Sequence, residues 1–440
     1  TARFLTLHPR AFCFNEAGTG KTSAAIWAAD YLMKMGYIDR VLVICPLSIM
    51  QSAWQADIFN TAMHRSCAVA HGSLKKRKRI IEGDYKFVII NFDGVATVQK
   101  VLSGQFDLII VDEANAYKNT ATSRWRTLAR LVTKDTFLWM MTGTPAAQSP
   151  EDAFGLARMI NPNGVPNFKT AWRDKVMTQI TQFKWVPKPD ATSTVYKALQ
   201  PAIRYEKSEC LDLPEVTYQT RTVPLTPQAT KYYRELVKQM QIQAAGETIS
   251  TVNAAAAITR LLQLSGGAVY TDDANVVEFD VSPRLAVLEE VINETRNKVL
   301  IFIPYRHTIS LVKAHLDSMG VDSEIISGDV SASRRAAIFK SFQTTSTPRV
   351  LLLQPQAASH GVTLTEADTV IFWSPVMSVE TYLQCVARID RVGQKNKMTV
   401  IHLQGSDVEK RMYDMLQKKV DMHEKLVDLF SDAISGEDNE

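Results

Sequence analysis

The sequence lacks the usual signs of a metal-clamped or disulfide-stapled protein. Its five cysteines, Cys13, Cys45, Cys67, Cys210 and Cys385, are scattered with no CxxC pair, which argues against a disulfide framework and a structural zinc and points to a reduced, cytoplasmic interior. Its eight histidines show no HxxxH spacing. No apolar run approaches the roughly 18 residues of a membrane span, and no cleavable leader opens the chain. Neither sign of charge dominates: 50 Lys and Arg stand against 46 Asp and Glu, a net charge of +4, which permits nucleic acid as a partner without requiring it. No repeat and no long low-complexity tract is present, and only the terminal SGEDNE reads as disordered. The chain begins at Thr1 rather than Met, as one does when an N-terminal piece has been removed or left out.

What is there is enough for more than one core. At 440 residues, 46% of them hydrophobic, the chain exceeds the roughly 250–300 residues at which single cores stop growing. Short β-branched runs, AFCF, VLVICP, CAVAHG, FVIINF, LIIVDE and FLWMMTG, alternate with helix-periodic segments such as TSAAIWAADYLMKMG. That grammar predicts an α/β fold with parallel strands covered on both faces. It returns with KVLIFIP, SEIISG, VLLLQ, TVIFW and MTVIHL. Between the two, prolines cluster in WVPKP and DLPEV, and LTPQATKYYRELVKQMQIQAAG and TVNAAAAITRLLQL read as helices. The expected organisation is a first lobe over 1–160, a mostly helical insertion over 161–280 and a second lobe over 281–440.

The chemistry is concentrated in AGTGKT, Ala17 to Thr22. A strand, a glycine-rich turn and a helix starting near Lys21 would gather backbone N–H groups and a helix N-terminus around one point, which suits phosphate. Ala17, Gly18, Thr19 and Gly20 would form the cradle, Lys21 would reach the β and γ phosphates, and the Thr22 hydroxyl would serve Mg²⁺. The longer form of this motif has a glycine where Asn15 stands. A carboxylate pair is expected at the end of a neighbouring strand, and FDLIIVDEAN supplies it: Asp112 for the metal and Glu113 for the attacking water. ATP and Mg²⁺ are the cofactors this pattern predicts.

These residues resemble the superfamily 2 helicase-type motors, whose shorter P-loop ends in GxGKT. MMTGTPAA is similar to motif III of that group, VLVICPLSIMQSAWQADI to the DNA-contacting segment after the P-loop, and QAASHGVTLTEADTVIFW to motif V. ETYLQCVARIDRVGQK, with Arg388, Arg391 and Gln394, resembles the motif VI ending of the SWI/SNF-like ATPases. DLPEVTYQTRTVPLTPQATKYYREL, VSPRLAVLEEVI and SGDVSASRRAAIFKSFQ resemble further segments of the same group.

The resemblance implies two RecA-like lobes, with ATP on the first and Arg388 and Arg391 offered by the second when the lobes close; Gln394 joins the nucleotide-binding set. It also implies nucleic-acid contacts at Ser48, Trp54, Thr142, Thr144 and Thr363. The KKRKR run adds Lys75, Lys76 and Arg77 as phosphate contacts, against the alternative of a solvated helix face. The implied activity is a DNA-stimulated ATPase that translocates on double-stranded DNA. A strand-separating helicase for branched DNA or RNA, and a nucleotide-gated clamp, stand as alternatives.

Some positions depart from the group's pattern. Asn115 replaces a common His in motif II, Ala358 and Ser359 replace the usual glycine pair of motif V with His360 following, and Ala387 and Asp390 stand where a glycine and a histidine are common in motif VI. The adenine-reading aromatic and glutamine would lie upstream of the P-loop, where only TARFLTLHPR stands. Trp27 and Trp185 read as packing residues, and the last helical stretch as packing on the second lobe. A monomer is expected. The lack of any appended reader, nuclease or finger module suggests a bacterial or phage protein, working in the cytoplasm and near the nucleoid.

Overall fold

The structure is a computed structural model describing residues 1–146, 149–181, 185–246, 251–270, 276–358 and 362–418. Ala147, Ser359, His360, the stretch from Lys419 onward and the SGEDNE tail lie outside the described residues, as does the side chain of Ala358. The chain divides into two compact units, the first Thr1–Asp212 and the second nearly all that follows from Leu213.

In the first unit, the apolar runs form β1 (Arg10–Cys13), β2 (Val41–Cys45), β3 (Cys67–Val69), β4 (Phe87–Asn91), β5 (Leu108–Asp112) and β6 (Phe137–Met141). A small antiparallel hairpin, β7 (Met177–Gln179) with β8 (Trp185–Pro187), precedes β9 (Ala202–Ile203). The sheet order is β3-β4-β2-β5-β6-β1-β9, every pair parallel. The reason such strands read as unbroken hydrophobic runs is visible in β2. Leu42 and Ile44 enter the core on one face, while Val41, Val43 and Cys45 enter the core on the other. A strand buried on both faces has no polar side to alternate with.

In the second unit, β10 (Val216–Thr222) precedes a short hairpin of β11 (Ala268–Tyr270) and β12 (Val276–Glu278). Then follow β13 (Lys298–Phe302), β14 (Ser323–Ile326), β15 (Val350–Leu353), β16 (Ala367–Phe372) and β17 (Met398–Gln404). The main sheet runs β10-β17-β16-β13-β15-β14, again parallel throughout. The two parallel-sheet lobes of the expected fold class are therefore both present.

The middle segment contains the two expected helices, Pro227–Gly246 and Thr251–Gly266. The division between units falls inside this segment. Trp172, Val176, Met177, Ala191, Ala198 and Leu199 extend the core of the first unit, whereas β10 completes the sheet of the second. Trp185 packs under the Arg173 guanidinium at 5.3 Å. Trp27 corrects the expectation of packing: it is 56% exposed on the outer side of the helix Lys21–Lys34, which buries Ala25, Ile26, Ala28 and Ala29 instead.

Among the described residues, the second unit carries one fully buried ion pair. Arg284 grips Glu409 through Nη1 at 2.9 Å and Nη2 at 2.7 Å, and also donates to the Trp373 carbonyl. Glu409 accepts from the Gly405 and Ser406 amides as well. Such a pair is tolerated because its polar atoms are met inside the unit.

Candidate nucleotide and nucleic-acid sites

The helix Lys21–Lys34 begins directly on Gly20, whose φ of 77° lies in the left-handed region. Gly18 is also left-handed at 86°. Two such residues turn the chain sharply between β1 and the helix, a conformation that glycine adopts without steric cost. Lys21 lies back over this loop, its Nζ donating to the carbonyls of Asn15 at 2.8 Å and Glu16 at 3.0 Å.

Asn15, at the position of the absent glycine, braces the loop. It is buried, its Nδ2 donates to Thr1 Oγ1 at 2.8 Å and its Oδ1 accepts from the Tyr205 amide at 3.1 Å. Glu16 continues the brace by accepting from the Lys207 amide at 3.0 Å. Nothing in the local sequence signals the prop from Tyr205 and Lys207, which lie far along the chain just after the short strand β9.

At the end of β5, Asp112 is buried and each of its carboxylate oxygens accepts one bond. Trp54 Nε1 donates to Oδ2 at 2.9 Å, and the Glu113 amide donates to Oδ1 at 3.0 Å. Burial pushes the Asp112 pKa up, opposed by the Trp54 bond and by the charge of Lys21. A bound divalent cation would offset that burial and favour the charged carboxylate. Among the described residues no group of three or more His, Cys, Asp or Glu could hold a metal alone. That donor set fits Mg²⁺, which is commonly held by one or two protein oxygens together with substrate phosphates and water; Asp112 and Thr22 are the residues that would hold it.

Glu113 has φ 50° and ψ 55°. For a residue with a Cβ this left-handed conformation costs about 1–2 kcal/mol, and such strain clusters at functional sites. The turn that follows brings Asn115 Nδ2 to the Thr144 carbonyl at 2.9 Å and to Thr144 Oγ1 at 3.0 Å. The amide thus connects the DEAN and TGTP segments. A Cβ added to Gly143 would stand 3.5 Å from Ala17 N and Asn15 O, so the TGTP turn lies directly against the phosphate loop.

Trp54 corrects the nucleic-acid reading. It is wholly buried and its one donor is committed to Asp112. The segment Met50–Gln55 is a π-helix, a wider turn found often at functional sites. Thr142 corrects it too: its side chain is buried, and its hydroxyl accepts from the Thr144 amide at 3.3 Å. Ser48 and Thr144 are half-buried.

Lys75 and Lys76 are exposed on the helix Leu74–Ile81. Arg77 is held down, donating to the Gly72 carbonyl at 3.0 Å and to Asn91 Oδ1 at 3.1 Å.

In the second unit, Arg388 follows the helix Val379–Val386, is buried, and donates through Nε to the Gln384 carbonyl at 2.7 Å. Its own carbonyl accepts from the Leu364 amide, which ties the residue after Thr363 to the arginine segment. Thr363 is exposed and Arg391 half-buried.

Gln394 corrects the nucleotide-binding set. It is buried; its Nε2 donates to the Ala367 carbonyl at 2.8 Å and the Ile389 carbonyl at 3.4 Å, and its Oε1 accepts from the Lys395 and Asn396 amides. An amide offers two N–H donors and one oxygen, and here all of them hold the loop after Gly393.

Residues 11–266 match the SNF2-related domain family, and residues 283–393 match the helicase conserved C-terminal domain. The chain belongs to the SNF2-related family. It is an ATP-hydrolysing enzyme of the helicase type. Among its relatives, the Chromodomain-helicase-DNA-binding protein 1-like of Mus musculus is 25% identical over 94% of this chain and 47% of its own length. The chain thus spans about half the length of that relative. Putative protein p41 of Acyrthosiphon pisum secondary endosymbiont phage 1 is 24% identical over 88% of this chain and 86% of its own length. Of solved structures, the Sulfolobus solfataricus SWI2/SNF2 ATPase core in complex with dsDNA is 21% identical, with a TM-score of 0.46, covering 99% of this chain and 91% of that one. Among the described residues no helix is long and apolar enough to cross a membrane.

Proposed function

We propose that this chain is a DNA-stimulated ATPase that travels along double-stranded DNA and so remodels DNA or protein–DNA complexes. The observation that carries the reading is that the TGTP turn lies against the phosphate loop at Gly143 and is joined to the turn after Asp112 and Glu113 by the Asn115–Thr144 bonds. Membership of a family whose relatives bear DNA-binding names supports DNA as the track.

In this reading Ala17 to Thr22 hold the phosphates with backbone N–H groups, Lys21 leaves the Asn15 and Glu16 carbonyls for the β and γ phosphates, and Glu113 orients the attacking water. Magnesium, when bound, neutralises charge developing on the phosphates. Arg388 and Arg391, when they reach the γ-phosphate, stabilise the charge that develops there. The track is contacted through Ser48, Lys75, Lys76 and Thr363, with Thr144 reporting nucleotide state through Asn115. Such a motor would work wherever its DNA is, at the nucleoid in a bacterial host.

The test is steady-state ATP hydrolysis without nucleic acid and with single-stranded DNA, duplex DNA and RNA at low salt, with Glu113→Gln as the blank. Stimulation chiefly by duplex, lost by at least about 1,000-fold in Lys21→Ala with its fold intact, is the expected result. ATP-dependent unwinding of ordinary duplex would replace the translocase by a helicase. Binding of ATP with little turnover on every ligand would replace it by a gated clamp.

A further inference from the structure

The outermost strands of the two main sheets differ in how much edge they offer. β3 has 3 residues, β9 has 2 and β14 has 4, whereas β10 has 7. Short edges are a common protection against unwanted pairing, as are lysines, prolines and bulges within the strand. β10 has none of these: its sequence is VTYQTRT and its register with β17 is unbroken from Val216 to Thr222. Thr217, Tyr218, Gln219, Thr220 and Thr222 are exposed, Tyr218 by 47%. The one charge in the strand, Arg221, is already paired with Glu294 at 2.6 Å.

The register tells which backbone groups remain. The Met398 amide donates to the Glu215 carbonyl, and the Val223 amide donates to the Gln404 carbonyl. In a parallel ladder the residues facing the partner alternate, so Glu215, Thr217, Gln219, Arg221 and Val223 face β17. Val216, Tyr218, Thr220 and Thr222 point their N–H and C=O groups outward. Among the described residues no other strand takes them. Pro214 and Pro224, which have no N–H, bound this row at equal distances from Gln219.

We propose that β10 pairs antiparallel with β10 of a second copy of this chain, about a two-fold axis through Gln219. That register sets Val216 opposite Thr222 of the second copy and Tyr218 opposite its Thr220, all outward-facing, so each pair exchanges both backbone bonds. Side-chain pairing agrees: an aromatic meets a β-branched residue, Arg221 meets Thr217, and no like charges are opposed. The prolines face each other at the ends and stop the ladder. A single strand pair buries less than a standard interface, so the dissociation constant is expected on the order of 100 μM. The dimer replaces the expected monomer at high local concentration, and the inference does not depend on the DNA reading.

Disulfide trapping tests the axis. Antiparallel residues facing each other without mutual backbone bonds have Cα atoms about 4.5 Å apart, within disulfide reach. In a Cys210→Ser background, which removes the exposed native thiol, Gln219→Cys is expected to cross-link under mild oxidation at least about tenfold faster than Thr222→Cys, which the register holds away from its own copy. Equal rates at the two positions, or no cross-link at either, would overturn the proposal.

A second measurement uses charge. Tyr218→Lys/Thr220→Lys and Tyr218→Glu/Thr220→Glu each oppose like charges across the axis, and their mixture opposes unlike ones. Sedimentation equilibrium up to several times the expected dissociation constant should show wild-type dimer, monomer for each variant alone, and dimer again in the mixture. Circular dichroism and ATP turnover confirm that the variants are folded. A mixture that stays monomeric while wild type dimerises would place the contact elsewhere, and a monomeric wild type would remove it.

Discussion

The phosphate loop of the first unit and the arginine segment of the second solve opposite problems. At the loop, the Lys21 ammonium rests on two backbone carbonyls, and the burial that raises the Asp112 pKa is opposed by the bonds from Trp54 and the Glu113 amide. In the arginine segment, much of the polar chemistry is spent on the segment's own shape. Gln394 satisfies four backbone groups, and Arg388 holds the carbonyl of Gln384. A motif residue can thus shape its own segment instead of presenting its polar groups outward.

The largest difference is expected between Arg391 and Gln394. If Arg391 acts on the nucleotide, Arg391→Ala lowers kcat by about 1,000-fold while ATP binding, read by a fluorescent analogue, stays near wild type. Gln394→Ala leaves buried backbone groups unmet, costing about 1–3 kcal/mol of stability, and any loss of turnover should follow the loss of folded protein. Loss of ATP binding in both variants would erase the distinction.

On the first unit, Trp54→Phe keeps the packing of a large ring but deletes the donor to Asp112. A hydrogen bond to a charged group is worth about 1.5–3 kcal/mol, so turnover should fall roughly 10- to 100-fold at limiting Mg²⁺. Raising Mg²⁺ or pH should recover part of it, since both favour the charged carboxylate. A Trp54→Phe enzyme indistinguishable from wild type across Mg²⁺ concentrations would show the bond to be only structural.

Much of the fold was legible because buried parallel strands leave an unmistakable record: VLVIC and LLL have no polar side. β10 left no such record. VTYQTRT has no apolar run and lies between prolines, inside the stretch whose other segments read as helices, so it passes as part of the insertion. The site was legible where backbone geometry carries the function, as in Gly18 and Gly20, and much less so where side-chain direction does. Position in a motif could not tell that Trp54 and Thr142 point inward, and the braces on Asn15 and Glu16 arrive from residues remote in sequence.

The two units should also differ in their response to acid. His402 in the second unit is buried between Tyr382, whose hydroxyl lies 3.0 Å from Nε2, and Gln417, 3.2 Å from Nδ1. Burial lowers its pKa from 6.5 to about 4. A histidine depressed on folding takes its proton more readily when unfolded, so stability falls as pH drops below the unfolded value and levels off only near pH 4. Between pH 7 and pH 5 the loss should be about 2 kcal/mol. Denaturant titrations at the two pH values should show it, and His402→Gln should flatten the slope. An unchanged slope in His402→Gln would assign the acid sensitivity to other groups.

The smallest effect concerns the backbone of Glu113, and it needs two variants. Glu113→Ala and Glu113→Gly both remove the side chain and whatever it holds, and both should abolish turnover. They differ at φ 50°, where alanine keeps the Cβ clash and glycine does not. At ordinary positions glycine is the less stable of the two by roughly 0.5–1 kcal/mol. Here the order should reverse, with Glu113→Gly the more stable by about 1 kcal/mol, read as a shift in denaturation midpoint at constant slope. Reversal would show that the carboxylate is held in a conformation the fold supports at a cost, as expected where geometry serves chemistry. The ordinary order would mean that the turn relaxes freely and that Glu113 is carried by its neighbours without strain.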